Sequence, residues 1–243
     1  MSNYGNAKLN IFKNINSSQK GFFNNDSIIK KLIKKNNHLN KMKNLKQINK
    51  NKRTSTKNLN VNQYNLLSND QNYRFSYEIL KEVGLSSNKI FNAFKSFRGL
   101  EFRQQIIFSD KKKLIINDSK STSFSSSVGM LKKDSNILWL LGGIYKKGDK
   151  LELKKKDLSN VTAFVYGENK NLFNKQLRSK VKFKNYINLE DAVKNVFSII
   201  KTKRSIKYTI LFSPCAASFD SFKNFEERGL YFNRLVKRFM YGK

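Results

Sequence analysis

The chain has 243 residues and a formal net charge of +32 at pH 7, with 49 Lys and Arg residues against 17 Asp and Glu residues. This length allows one large domain or two small ones and a substantial buried core. The single cysteine, Cys215, excludes a disulfide framework and fits a reducing compartment. No apolar run reaches the roughly 20 residues that a membrane span needs. We therefore expect a cytoplasmic protein that does not contact a membrane.

The positive charge is typical of nucleic-acid-binding proteins, but its distribution favours a solvated surface. Only nine of the basic residues are Arg, and the Lys residues are spread along the whole chain. The Lys-rich region 30–57 has one Arg and almost no aromatic residues that could stack on bases. The one histidine, His38, has no partner nearby for a metal site or a catalytic triad. We expect no specific nucleic-acid partner.

The first part of the chain, up to about residue 69, is polar. In SIIKKLIKK, residues 27–35, apolar residues recur at helical spacing. Residues 36–62 are of low complexity, and we expect them to be marginal in structure or disordered. Residues 69–98 predict two short helices separated by Gly84, the second preceded by a Ser-Ser-Asn capping stretch.

After Gly99 the sequence alternates between predicted strands and helices. RQQIIFS and KKLIIND predict two strands joined by a turn, and NILWLLGG, VTAFVYG and KYTILFS are further apolar strands. The segments STSFSSSVGMLKK, KNLFNKQLR, LEDAVKNVFSIIKT and SFDSFKNFEERGLYFNRLVKRF predict helices. This order predicts a doubly wound α/β domain over 99–243, with a mainly parallel sheet and a binding site at the carboxyl ends of its strands.

Three polar clusters directly follow predicted strands. They are INDSKST at 116–122, LLGGIYKKGD at 140–149 and FSPCAAS at 212–218. Taken singly, each cluster has the residue types that ordinary strand-to-helix turns use to reverse the chain and cap the helix. If they meet at one edge of the sheet, their hydroxyl, ammonium and backbone N–H groups predict a site for a carboxylate or a phosphate.

These clusters carry a family resemblance. In order and spacing, GLEFR, IINDSKST, LLGGIYKKGD and SPCAASFDSFKNFEERG resemble the C-terminal domain of the Mur ligases, of the D-glutamate-adding MurD type. Upstream, SNDQN at 68–72 resembles the family's HNxxN motif, and MSNYGNAKLNIF resembles its YxxAKxxIF motif. The resemblance implies a Rossmann-like C-terminal Mur ligase domain at 99–243, preceded by a partial central ATP-binding domain at 1–98.

The resemblance also implies a reaction and a set of site residues. The reaction is the ATP-dependent joining of D-glutamate to UDP-N-acetylmuramoyl-L-alanine in peptidoglycan precursor synthesis, through an acyl phosphate that the amine attacks. By motif match, the catalytic residues would be Lys120 and Lys8, with Lys8 as a carbamate that ligates Mg²⁺. The D-glutamate pocket would comprise Thr122, Lys146, Ser218 and Phe225, and the nucleotide contacts would be Asn72, Arg103 and Asp118.

The sequence departs from the family at several points. Ser68 stands where the HNxxN motif has its histidine, and we expect the domain that binds the UDP-linked substrate to be missing. No G-x-x-x-x-G-K-[ST] phosphate loop occurs in the 243 residues, and Phe102 stands where the family has a histidine beside the arginine. We therefore expect the carboxyl-terminal part of a ligase, inactive alone, for which a separate amino-terminal half would be a partner. The alternatives are a basic nucleic-acid-binding protein and a non-catalytic remnant. Cys215 is expected to be a buried turn residue, because no histidine could activate it.

Overall fold

The structure is a computed structural model that describes residues 2–48, 63–132, 136–203 and 205–242. The chain divides into two compact units, Met1–Arg98 and Gly99–Lys243. In the described ranges, no helix combines the length and the apolar character that crossing a membrane requires.

The first unit contains helices and a small parallel sheet. Its described elements are α1 (Ser2–Leu9), α2 (Ser27–Lys35), α3 (Asn37–Lys41), α4 (Gln63–Glu82), α5 (Ser87–Ser96), β1 (Gly21–Asn24) and β2 (Leu45–Ile48). Helix α2 confirms the helical spacing of SIIKKLIKK, and it begins where the Asp26 side chain accepts hydrogen bonds from the amides of Ile28 and Ile29.

The described part of the low-complexity stretch contains secondary structure. Residues 37–48 contain α3 and β2, and β2 pairs in parallel with β1. The physical reason is burial of the few apolar side chains among the polar ones, because Leu39 packs into a cluster with Leu9, Phe12 and Ile33. Residues 49–62 lie outside the described residues.

Helices α4 and α5 confirm the helix pair predicted around Gly84. Gly84 has φ +93°, a backbone conformation that favours glycine. The Ser86 hydroxyl caps α5 by accepting a hydrogen bond from the amide of Lys89, at 3.4 Å. Helix α4 begins at Gln63, earlier than predicted.

The second unit is an α/β domain. Its strands are β3 (Gln105–Ser109), β4 (Lys113–Asn117), β5 (Asn136–Gly142), β6 (Val161–Tyr166), β7 (Lys182–Asn185) and β8 (Tyr208–Phe212). Its helices are α6 (Phe124–Leu131), α7 (Lys170–Leu177), α8 (Leu189–Thr202) and α9 (Phe225–Tyr241). The strand order is β3-β4-β8-β5-β6-β7, with β3 antiparallel to β4 and the other pairs parallel. The predicted fold class is confirmed.

Helices cover both faces of this sheet. On one face, Leu138 and Leu140 of β5 pack in a cluster with side chains of α8 and α9. On the other, the Trp139 ring makes an edge contact with Phe124 of α6, which in turn contacts Phe173 of α7. Successive residues of β5 therefore serve opposite layers, which explains its continuous apolar sequence.

Two details differ from the predicted elements. Strand β7, KFKN, was not predicted, because it is a short, largely exposed edge strand without an apolar run. Helix α9 begins at Phe225 rather than near Ser218, because the Asn224 side chain caps it by accepting from the amide of Glu227, at 2.8 Å. Residues 218–224 instead form a turn.

Candidate active site

The three polar clusters follow three neighbouring strands. We call 118–123 the β4 turn, 213–224 the β8 turn and 143–150 the β5 turn, after the strands that they follow. Because β8 lies between β4 and β5 and all three are parallel, the turns meet at one edge of the sheet. The juxtaposition that the sequence left conditional is therefore present in the structure.

Backbone hydrogen bonds join these turns directly. The β4 and β8 segments are linked where the amide of Asp118 donates to the carbonyl of Phe212, at 2.7 Å. The β5 and β8 turns are linked by Ile144 and Ala217, whose amides donate to each other's carbonyls at 2.9 and 3.1 Å. The amide of Lys120 donates to the carbonyl of Phe102, at 3.0 Å. These bonds restrict how far one turn can move without the others.

Two of the predicted site residues are in direct contact. The Nζ atom of Lys120 lies 3.7 Å from the centroid of the half-buried Phe225 ring, a cation–π geometry. The Ser119 hydroxyl donates to the Phe225 carbonyl, at 2.8 Å. The start of α9 is thereby attached to the β4 turn, although the two residues lie 106 positions apart in the sequence.

The other predicted pocket residues lie on the same three turns. Thr122 and Lys146 are exposed, whereas Ser218 is buried. The β5 turn that carries Lys146 is held by Asp149, whose Oδ2 accepts from the Phe124 amide at the start of α6, at 2.8 Å. A carboxylate at a helix amino terminus is electrostatically favourable. Asp149 thus fixes the Lys146 turn close to the segment that contains Thr122.

The carboxylate of Asp118 points into the protein. Its Oδ1 accepts from the Gln104 amide at 3.1 Å, and its Oδ2 accepts from the Ser213 hydroxyl at 2.8 Å. Burial raises the pKa of Asp118 to about 7, against the lowering effects of the Ser213 and Gln104 hydrogen bonds and of the Arg103 charge. Arg103 itself is exposed. The geometry of Asp118 suits a group that ties the β4 and β8 turns together.

A serine network continues from Asp118 to the buried cysteine. Ser213 hydrogen-bonds with Ser127 at 2.6 Å, and Ser127 hydrogen-bonds with the Cys215 thiol at 2.9 Å. Burial raises the pKa of the Cys215 thiol to about 12, so it carries little thiolate at neutral pH. This fits the expected structural role of Cys215.

The remaining two predicted residues lie in the first unit. Lys8 is exposed on α1, with its Nζ 5.4 Å from the Tyr4 ring centroid, and Asn72 is exposed on α4. Across the described part of the chain, no group of three or more His, Cys, Asp or Glu residues could hold a metal ion. The roles assigned to Lys8 and Asn72 stay predictions.

Sequence reasoning did not single out Arg228 and Asp149, although both lie in segments that it quoted. Arg228 is buried in the first turn of α9. It stands four residues before Phe232 and eight before Val236, on the buried face of the helix. A charged residue in phase with the apolar residues of a helix is the signal that could have found it.

Curated relatives resemble most of this chain. The UDP-N-acetylmuramoylalanine–D-glutamate ligase of Wolbachia pipientis wMel is 38% identical over 177 residues, which cover 73% of this chain and 35% of that ligase. The ligase of the same name from Rickettsia felis is 38% identical over 170 residues, covering 70% of this chain and 38% of that ligase. The chain therefore spans about a third of the length of these relatives.

Two other comparisons do not help to assign a function. No family model matches the chain. A solved structure, the UDP-N-acetylmuramate-alanine ligase MurC from Thermotoga maritima, overlaps with a TM-score of 0.48 and 16% identity, covering 72% of this chain and 38% of that one. This similarity is too low to bear on function.

Proposed function

Because this chain belongs to the Mur ligase family, we propose that it is the carboxyl-terminal, amino-acid-binding part of an ATP-dependent ligase that adds D-glutamate to UDP-N-acetylmuramoyl-L-alanine. The proposal takes its substrates from the name that the Wolbachia and Rickettsia relatives share. Its place in metabolism would be peptidoglycan precursor synthesis.

The observation that carries the proposal is the meeting of three turns at one sheet edge, with Lys120 stacked on Phe225. D-glutamate has two carboxylates, and the turns supply two ammonium groups, on Lys120 and Lys146, and the hydroxyl of Thr122. Ammonium groups and hydroxyls bind carboxylates through charge-assisted hydrogen bonds. The Phe225 ring would cover the aliphatic part of the amino acid and orient Lys120.

In the reaction, the amine nitrogen forms a bond to the activated carboxyl carbon, and the phosphate leaves with the electron pair of the broken C–O bond. Negative charge develops on the tetrahedral centre and on the leaving phosphate. Lys120 would neutralise that charge, and electrostatic stabilisation of this kind is usually the largest contribution to catalysis. The inward orientation of Asp118 favours a supporting role for it, with Arg103 offering the exposed charge for the nucleotide.

ATP would supply the phosphoryl group, and Mg²⁺ would offset the phosphate charge. Lys8, as a carbamate, would present oxygen atoms of the kind that Mg²⁺ prefers. The 243 residues contain no phosphate-loop motif, so the main grip on ATP would come from an amino-terminal part of the enzyme. That part would also bind the UDP-linked substrate.

Titration of the ¹⁵N-labelled 243-residue chain with D-glutamate tests the binding half of the proposal. We expect amide shifts at Lys120, Thr122, Lys146 and Ser218, with weaker shifts for L-glutamate. Equal shifts for both enantiomers, or shifts spread over surface lysines, would contradict the proposal.

Complementation tests the catalytic half. The chain is mixed with the amino-terminal two thirds of the Wolbachia ligase, and ADP release is measured with and without D-glutamate. We expect release that depends on D-glutamate, on UDP-N-acetylmuramoyl-L-alanine and on Lys120. Salt-resistant, sequence-dependent DNA binding by the chain would instead support the nucleic-acid alternative.

A further inference from the structure

Arg228 joins two of the three turns through hydrogen bonds. Its Nε donates to the Ser119 hydroxyl at 3.1 Å, and its Nη2 donates to the carbonyls of Ser119 and Ala216 at 2.7 and 3.0 Å. Ser119 belongs to the β4 turn and Ala216 to the β8 turn. A single planar guanidinium therefore spans both, with the fixed fork geometry that a lysine lacks.

The same guanidinium reaches the third turn. Gly143, in the β5 turn, has φ +124°, and a methyl group there would lie 3.1 Å from the Nη1 atom of Arg228. The Nη1 atom has no hydrogen-bond partner among the described residues. Arg228 thus hydrogen-bonds to the β4 and β8 turns and leaves no room for a side chain at Gly143 of the β5 turn, from a position in the protein interior.

The charge of Arg228 is held without an ion pair. It exposes only 1% of its surface, and no carboxylate in the described ranges lies within ion-pair distance of it. The guanidinium stays protonated, although burial lowers its pKa. A buried charge with no opposite charge at ion-pair distance is costly. The Arg228 charge adds positive potential to the sheet edge where Lys120 and Lys146 lie, and Asp220 in the β8 turn offsets part of it at longer range.

We propose that Arg228 is a positioning residue, which holds the β4 and β8 turns in one arrangement, holds the β5 turn through the Ile144–Ala217 hydrogen bonds, and favours an anion above them. This rests on the proposed function only in naming the anion as a carboxylate of D-glutamate. The positioning role itself follows from the hydrogen bonds of Arg228 to two of the turns and from the bonds that join the third turn to them, and it applies to any anionic ligand that the turns bind.

The first test measures the turns without any ligand. Amide hydrogen exchange is compared between the wild-type chain, R228K and the matched control R234K, whose arginine is exposed on the same helix. In R228K we expect at least about tenfold faster exchange at Lys120, Ile144 and Ala217 together, with unchanged exchange in the centre of β5. Exchange at these amides within about twofold of the wild-type rate would overturn the proposal.

The second test measures binding of D-glutamate to the same proteins. R228K should bind at least about tenfold more weakly than R234K, because it keeps the charge but loses the fork. If the wild-type chain binds no D-glutamate while R228K loosens all three turns, the proposed function fails and the positioning role stands. Unchanged turns and unchanged affinity in R228K would overturn the positioning role alone.

A third variant covers the case in which R228K does not fold. R228A is examined with added ethylguanidinium, which can occupy the space of the missing side chain. We expect the cation to slow exchange at Lys120, Ile144 and Ala217 again, and to have no such effect on R234A. Failure of rescue in an R228A chain that retains native Trp139 fluorescence would count against the proposal.

Discussion

The ammonium group of Lys120 rests on the face of the Phe225 ring, with 3.7 Å between Nζ and the ring centroid. Lys120 lies in the turn after β4, and Phe225 is the first residue of α9. Contacts of this kind contribute roughly 0.5–2 kcal/mol, depending on how well the cation is shielded from water. The ring therefore selects the position of the ammonium group that we propose acts on the substrate.

Replacing Phe225 by Leu should weaken D-glutamate binding by about three- to tenfold, because the aliphatic side chain cannot attract the ammonium group of Lys120. F225Y should bind nearly as well as the wild type. F219L is the matched control, since Phe219 is exposed in the β8 turn, which precedes Phe225 in the chain. Calorimetric titration measures the three affinities. Equal losses in F225L and F219L would disprove a specific role for the Phe225 ring.

The pair Lys146 and Lys147 offers a test within one turn. Both side chains are exposed and carry the same charge. Of the two, the resemblance assigns only Lys146 to the D-glutamate pocket. We expect K146M to lower D-glutamate affinity by about tenfold or more, as loss of a charge-assisted hydrogen bond would, and K147M to change it by less than about twofold, as expected for an exposed charge. Similar affinities of the two variants would show that only the net charge matters.

Asp118 should make the stability of the second unit depend on pH. Its folded-state pKa, about 7, lies above the ordinary value of 3.8, so the folded state holds the proton more tightly than the unfolded state. The free energy of unfolding should therefore fall as the pH rises from about 4 to about 7, by at most ~1.4 kcal/mol per pH unit from this group.

The variant D118N isolates this effect. An amide can still accept from the Gln104 amide and can donate to the Ser213 hydroxyl, but it does not titrate. Urea unfolding, followed by the fluorescence of Trp139, the chain's single tryptophan, measures both proteins between pH 4 and pH 8. The difference between them should change with pH in the stated direction. Parallel pH profiles would contradict the buried, protonated state of Asp118.

Gly229 should be intolerant of even one methyl group. A methyl group there would lie 2.3 Å from a carbon of the Phe102 ring, and Phe102 is itself buried. We expect G229A to destabilise the second unit by about 1–3 kcal/mol through overpacking. G129A, at an exposed position in α6, should instead stabilise it by up to about 1 kcal/mol through helix propensity.

Urea unfolding at pH 7 measures both glycine variants. The carbonyl of Phe102 accepts a hydrogen bond from the amide of Lys120 in the β4 turn. A displaced Phe102 in G229A should therefore loosen the β4 turn as well. If G229A proves as stable as the wild type, the close packing of α9 against Phe102 is wrong.

Much of the second unit could be predicted from local patterns. The buried strands β5, β6 and β8 are continuous apolar runs, and α8 begins at an asparagine cap. The exposed edge strand β7 could not be predicted, because its pairing with β6 depends on a neighbour rather than on its own residues. The same holds for β2, whose polar sequence pairs with β1.

By itself, the sequence determined the residue types that follow each strand, and hence the possibility of an anion site, because turn and cap chemistry depends on a few adjacent residues. Only the tertiary structure decided that β8 inserts between β4 and β5, which places the turn with Ser218 between those with Lys120 and Lys146. It also decided that Arg228, an ordinary basic residue in the sequence, lies buried and hydrogen-bonded to both the β4 and the β8 turns. Both outcomes come from strand pairing and side-chain packing between segments about 100 residues apart, and no local stretch of sequence contains that information.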